Sequence, residues 1–247
     1  MYVLWQREIR RFLRAPSRII GFLVQPLFLL VILGFGLGVA VFPGMTTGYL
    51  SFLAPGIIAM AIMFSSIYTG VSVLWDRQFG FLQEVLVAPV SRFSIILGRT
   101  FGGATLALIQ GFIILGISLA MGITVTGLLG FGLTVVMMVL ISFTAVGFGL
   151  ISASLIKDFQ GFQVIMNLIL MPLFFLSSAF FPLGPSLPEW LRSIALVNPL
   201  LYMVDGVRGS LTQANMLFSP LLDLAVVLIL CSVVMALGSY LFNRSEA

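Results

Sequence analysis

With eight carboxylates, one cysteine and no histidine, this chain of 247 residues holds little that could make or break a covalent bond. A Ser–His pair is impossible without imidazole, no two aspartates share the middle of an apolar run, and no Cys/His cluster can hold a metal. Cys231 has no disulfide partner in the chain and reads as a small packing residue. A phosphate-binding loop needs Gly-x-x-x-x-Gly-Lys-Ser/Thr, yet the single lysine, Lys157, follows Ser154-Leu155-Ile156 with no glycine-rich turn. If ATP drives this protein, another chain binds it. The chemistry left to these charges is anchoring and docking.

The elements that must position them belong in a membrane. Hydrophobic residues make up 60% of the chain and charged ones 8%, about a third of the charge usual for a soluble domain. Nearly charge-free runs fall at 19–42, 49–74, 95–122, 128–156, 159–181 and 221–242. Each is near the roughly 20 residues that cross about 30 Å of hydrocarbon, so the expectation is all-α, with six transmembrane helices in one membrane domain over 1–247. An N-terminus on the cytoplasmic side leaves only Arg192 and Arg208 outside, with ten of the twelve basic residues within. Both termini are then cytoplasmic, and the location is the inner (cytoplasmic) membrane. A cleaved signal is not expected, because the first apolar run is too long and no small-x-small site follows it. Arg10-Arg11-Phe12-Leu13-Arg14 likewise misses the spacing of a twin-arginine signal.

Residues 1–18 read as an amphipathic interface helix, with Tyr2, Trp5, Ile9, Phe12 and Leu13 on one face and Arg7, Arg10, Arg11 and Arg14 elsewhere. It is either a topology anchor or a lever on a cytoplasmic partner. Pro16 separates it from the first span. Between spans two and three, residues 75–92 are too polar to cross and too patterned for slack loop. Phe79, Leu82 and Leu86 recur at helical spacing, Asp76, Arg77, Gln83 and Glu84 lie off that stripe, and Pro89 ends it. Such a helix could cap the bundle or enter a groove on another protein.

The stretch Asp76-Arg77-x-x-Gly80-x-Leu82-x-Glu84-x-Leu86-x-Ala88-Pro89-Val90-Ser91-Arg92, followed by Ile95-Ile96-Leu97-Gly98-Arg99, resembles the intracellular loop of type-2 permeases of ATP-binding-cassette exporters, in the daunorubicin-resistance and nodulation-factor branch. Leu176-Ser177-Ser178-Ala179-Phe180-Phe181-Pro182-Leu183 and Asn198-Pro199-Leu200-Leu201-Tyr202-Met203-Val204-Asp205-Gly206-Val207-Arg208 extend the resemblance over nearly the whole chain. Many members of that branch carry Glu at the position of Asp76, Thr near Phe81 and Glu at Gln83. The resemblance implies a second permease copy, two ABC ATPase subunits carrying ATP and Mg, and no cofactor on this chain. It makes Asp76, Arg77, Phe79, Gly80, Leu82, Glu84, Leu86 and Pro89 the ATPase-coupling residues, with Arg77 and Glu84 the best single contacts. Cargo would be an amphipathic drug, lipid or lipid-linked glycan moved outward. No nucleic acid is implied; membrane lipid is.

Two polar sets bear on the pathway. Gln160, Gln163 and Asn167 share one face of span five, and Ser65, Ser66, Tyr68, Thr69 and Ser72 enrich span two. Interhelical hydrogen bonding is one reading, and a translocation surface at a dimer interface the other. Ion-coupled transport fits less well, because no carboxylate lies mid-span. Asp223 falls in the first turn of the last helix, where a carboxylate suits the helix dipole near the outer surface, and Arg99 can snorkel to the inner interface. Residues 184–220 contain two helix starts, Ser186 with Pro188 and Asn198 with Pro199, as expected of a re-entrant external hairpin. Asn198, Pro199, Asp205 and Arg208 become an external gate by the same resemblance, or else part of a solvated outer cap. A channel or a non-transporting scaffold is the alternative function.

Overall fold

The computed structural model describes residues 2–38, 48–80, 92–156, 158–184 and 187–245. Among these, the chain forms α1 (Tyr2–Leu13), α2 (Pro16–Gly36), α3 (Tyr49–Gln78), α4 (Arg92–Ala120), α5 (Gly127–Leu155), α6 (Phe159–Phe175), α7 (Glu189–Val197), α8 (Pro199–Leu211) and α9 (Pro220–Ser245). No strand occurs in the described residues. Five helices, α2, α3, α4, α5 and α9, are long and apolar enough to cross a membrane. The run expected as a fifth span at 159–181 is shorter: α6 stops after 17 residues, and the chain turns through Ser178 at φ 59°.

Local chemistry sets the boundaries. Pro16 opens α2, where its missing N–H would be unpaired in any case, and so separates α1 from the bundle. Asp158 caps α6, accepting from the amides of Gln160 at 2.8 Å and Gly161 at 3.0 Å. Asn198 caps α8 through the amide of Leu200 at 3.0 Å, with Pro199 in the first turn as expected. Past the end of α3, Gly80 sits at φ +74° and its amide returns to the carbonyl of Arg77 at 3.2 Å, a left-handed stop that favours glycine. Helix α3 therefore runs unbroken through Trp75–Gln78. Asp76 and Arg77 stand on the last turn of a spanning helix, not on a separate loop element.

Helix α3 is the axis of the molecule: 83% of its span is buried, against 17% for α2 and 22% for α9. It packs on α2, α4, α5 and α8, while α9 lies against the far side of α5. Two glycines let α3 and α5 meet almost backbone to backbone. A Cβ on Gly70 would strike the carbonyl of Gly149, so any side chain there must part the helices.

Candidate functional site

Two buried charge clusters lie at opposite ends of α3. From Phe52 to Asp76 the helix rises about 36 Å at 1.5 Å per residue, close to the thickness of a bilayer core.

The first cluster centres on Asp76, which is buried. Its carboxylate accepts from Arg7 at 2.9 Å, Arg11 at 3.5 Å and Arg99 at 2.9 Å, so α1, α3 and α4 converge on one acid. A lone carboxylate in an apolar bundle is costly, and charge-assisted bonds to three guanidiniums offset that cost. Arg99 is held inside the bundle by Asp76. It is 1% exposed, and Nε and Nη1 of its guanidinium have no partner among the described residues. Trp5 adds a second tie by donating to Thr105 Oγ1 at 3.1 Å. Arg77 donates to the carbonyl of Ala153 at 3.3 Å and fastens the same end of α3 to α5. Trp75 packs edge-on to Phe79 and to Phe159. Phe79 is 78% exposed, an aromatic presented just beyond the helix end. Leu82, Glu84, Leu86 and Pro89 lie outside the described residues.

The second cluster centres on Arg208, fully buried in α8. Its guanidinium donates to the carbonyl of Ser178 at 2.6 Å and to that of Phe52 at 3.3 Å, lies 3.9 Å from the centre of the Phe52 ring, and stands 3.6 Å from Asp205. Asp205 in turn accepts from the amides of Leu217 and Phe218, each at 2.8 Å, which fixes the connection into α9. Asn198 donates to the carbonyl of Leu173 at 2.6 Å, and Tyr49 donates to that of Phe180 at 2.9 Å. Asn198, Asp205 and Arg208 thus join α3, α6, α8 and α9, and burial excludes the solvated cap for these three. Asp223 occupies the first turn of α9, as expected, and is buried there beside Asp205 and Arg208.

The two polar sets separate. Ser65, Ser66, Thr69 and Ser72 are buried within the chain, and Thr69 abuts Gly103 of α4. Ser65, Tyr68, Thr69 and Ser72 line a cavity of about 30 Å³ that Glu8, Arg11 and Phe22 complete, room for a single water. Gln160, Gln163 and Asn167 do share one face of α6, but that face is exposed, beside Val164 and Leu168. They make no interhelical hydrogen bond among the described residues.

Asp76 on the last turn before the loop and Arg99 in the second turn after it could have been matched by eye, because a helical hairpin brings such positions level. The contribution of Arg7 and Arg11 had no such signal, since nothing local says where α1 docks.

A bundle of apolar helices with charge confined to the two ends of its axis defines a multi-pass membrane protein. The ABC-2 type transporter family matches residues 1–212, and the chain belongs to that family. It is 30% identical over 222 residues to the transport permease ycf38 of Cyanophora paradoxa, covering 89% of this chain and 76% of that protein. It is 28% identical over 215 residues to the inner membrane transport permease YadH of Escherichia coli K12, covering 86% and 82%. Similarity to nodulation protein J of Rhizobium leguminosarum bv. trifolii is 28% over 209 residues, covering 84% and 76%.

Proposed function

We propose that this chain is the permease subunit of an ATP-driven exporter, pairing with a second copy and with two separate ATPase subunits to move an amphipathic drug, lipid or lipid-linked glycan outward. The observation that carries the reading is the Asp76 cluster. It stands on the helix turn from which residues 81–91 depart, and it links that turn to α1 and α4. Displacement of a helix in that loop by a closing ATPase would pull on α3, α1 and α4 together. Glu84 and Phe79 are the contact residues in this scheme, whereas Asp76 and Arg77 transmit. At the other end, the Asp205–Arg208 hub holds α8 as the external gate, with Asn198 and Pro199 setting its start.

Pairing of two copies is supported by α6. In hydrocarbon, the amides of Gln160, Gln163 and Asn167 would lack partners, and a second copy or a wet pathway between copies supplies them. Six crossings, with α6 and the residues after it as the fifth, keep both termini cytoplasmic and the gate outside.

The test is ATP hydrolysis by the chain reconstituted in lipid with its genomically adjacent ATPase. Glu84→Arg should abolish stimulation, and Asp76→Asn should leave the complex assembled with transport uncoupled from turnover. If no ATPase associates with the wild type, the exporter reading falls and a channel or scaffold replaces it.

A further inference from the structure

One face of α1 carries more basic groups than the Asp76 cluster uses. Val3, Gln6, Arg7, Arg10, Arg11 and Arg14 line an open cavity along one side of α1. They occupy a single helical stripe, opposite the side through which Glu8 and Phe12 dock on the bundle. Arg7 and Arg11 reach from this stripe to Asp76, while Arg10 and Arg14 form no ion pair with any carboxylate among the described residues. Beside the guanidiniums the helix exposes apolar surface: Val3 within the cavity and Tyr2 and Leu13 on the adjoining flank. Guanidinium forks match phosphate oxygens two at a time, and an apolar rim suits the acyl portion of the same molecule.

We propose that this stripe binds the phosphate of an anionic membrane lipid such as phosphatidylglycerol. Arg10 and Arg14 hold the headgroup, and Arg7 and Arg11 are shared between lipid phosphate and Asp76. A free anion would satisfy the arginines but leave Val3, Tyr2 and Leu13 in water, which is why the lipid is favoured. Because the same two arginines face both partners, occupancy of the site alters how firmly α1 is held to α3. The inference needs only a membrane-embedded chain and does not rest on the exporter reading.

The experiment is lipid binding to the purified full chain, by native mass spectrometry and by thermal stabilisation, with phosphatidylglycerol against phosphatidylcholine. Arg10→Ala/Arg14→Ala leaves the Asp76 cluster intact. Wild type should bind phosphatidylglycerol preferentially, and the double variant should bind it about thirtyfold more weakly, given roughly 1 kcal/mol for each of two basic residues near an anionic surface. Equal binding of the two lipids by wild type, or an unchanged preference in the variant, overturns the proposal. So does displacement of the lipid by millimolar inorganic phosphate, which would make this a soluble-anion site. Loss of ATPase association in the variant with lipid preference unchanged would assign the stripe to a protein partner instead.

Discussion

Arg208 has no route to water, and its neighbours are carbonyl oxygens, the Ser178 hydroxyl, an aromatic face and the carboxylates of Asp205 and Asp223. Arg208→Ala strands Asp205 in the interior, and loss of one partner of a buried pair costs about 3–5 kcal/mol. The expected result is a large drop in thermal stability in detergent; a change below about 1 kcal/mol would contradict the hub. Asp76 should behave asymmetrically. Asp76→Ala strands Arg99 with the same order of cost, while Asp76→Asn keeps an acceptor and loses less. Arg11→Ala, whose pair to Asp76 is long and partly exposed, should cost at most about 1 kcal/mol.

At the scale of elements, the α3–α5 seam depends on the absence of side chains. Gly70→Ala should destabilise by about 1–3 kcal/mol through overpacking, whereas Gly21→Ala, with nothing within 4 Å of the added methyl, should be neutral or slightly stabilising. Equal melting temperatures for the two variants would remove the seam from the account. Composition and hydropathy made most spans legible, because burial in lipid demands uninterrupted apolar length. They misplaced the end of α3, since Trp75–Gln78 looks polar in sequence although Asp76 is neutralised by partners far away in the chain. They also overran α6, whose apolar run continues to Phe181 while the helix yields at Phe175 to the Ser178 turn. Asn198, Asp205 and Arg208 were picked out by resemblance, yet their burial was not legible, because Arg208 finds its partners at Phe52 and Ser178, remote in sequence.

For the whole molecule, the question is what covers the exposed amides of α6. In a variant carrying Cys231→Ser, a cysteine placed by Asn167→Cys should form a disulfide-linked dimer in native membranes, and one placed by Leu228→Cys on the exposed side of α9 should not. The reverse pattern would move the interface to α9. ATPase subunits should not be required for that cross-link if the permease pair forms first.

The partners of Arg208 also have a genetic consequence. Two of its acceptors are main-chain carbonyls, at Phe52 and Ser178, and every amino acid supplies a carbonyl. Substitution at 178 therefore keeps the main-chain part of this contact, loses the Nη1 bond to the Ser178 hydroxyl at 3.3 Å, and is narrowed by a φ of 59° to residues that accept the left-handed region. A suppressor screen begun from Arg208→Ala should return changes that discharge Asp205, and none that act by supplying a new acceptor at position 52 or 178.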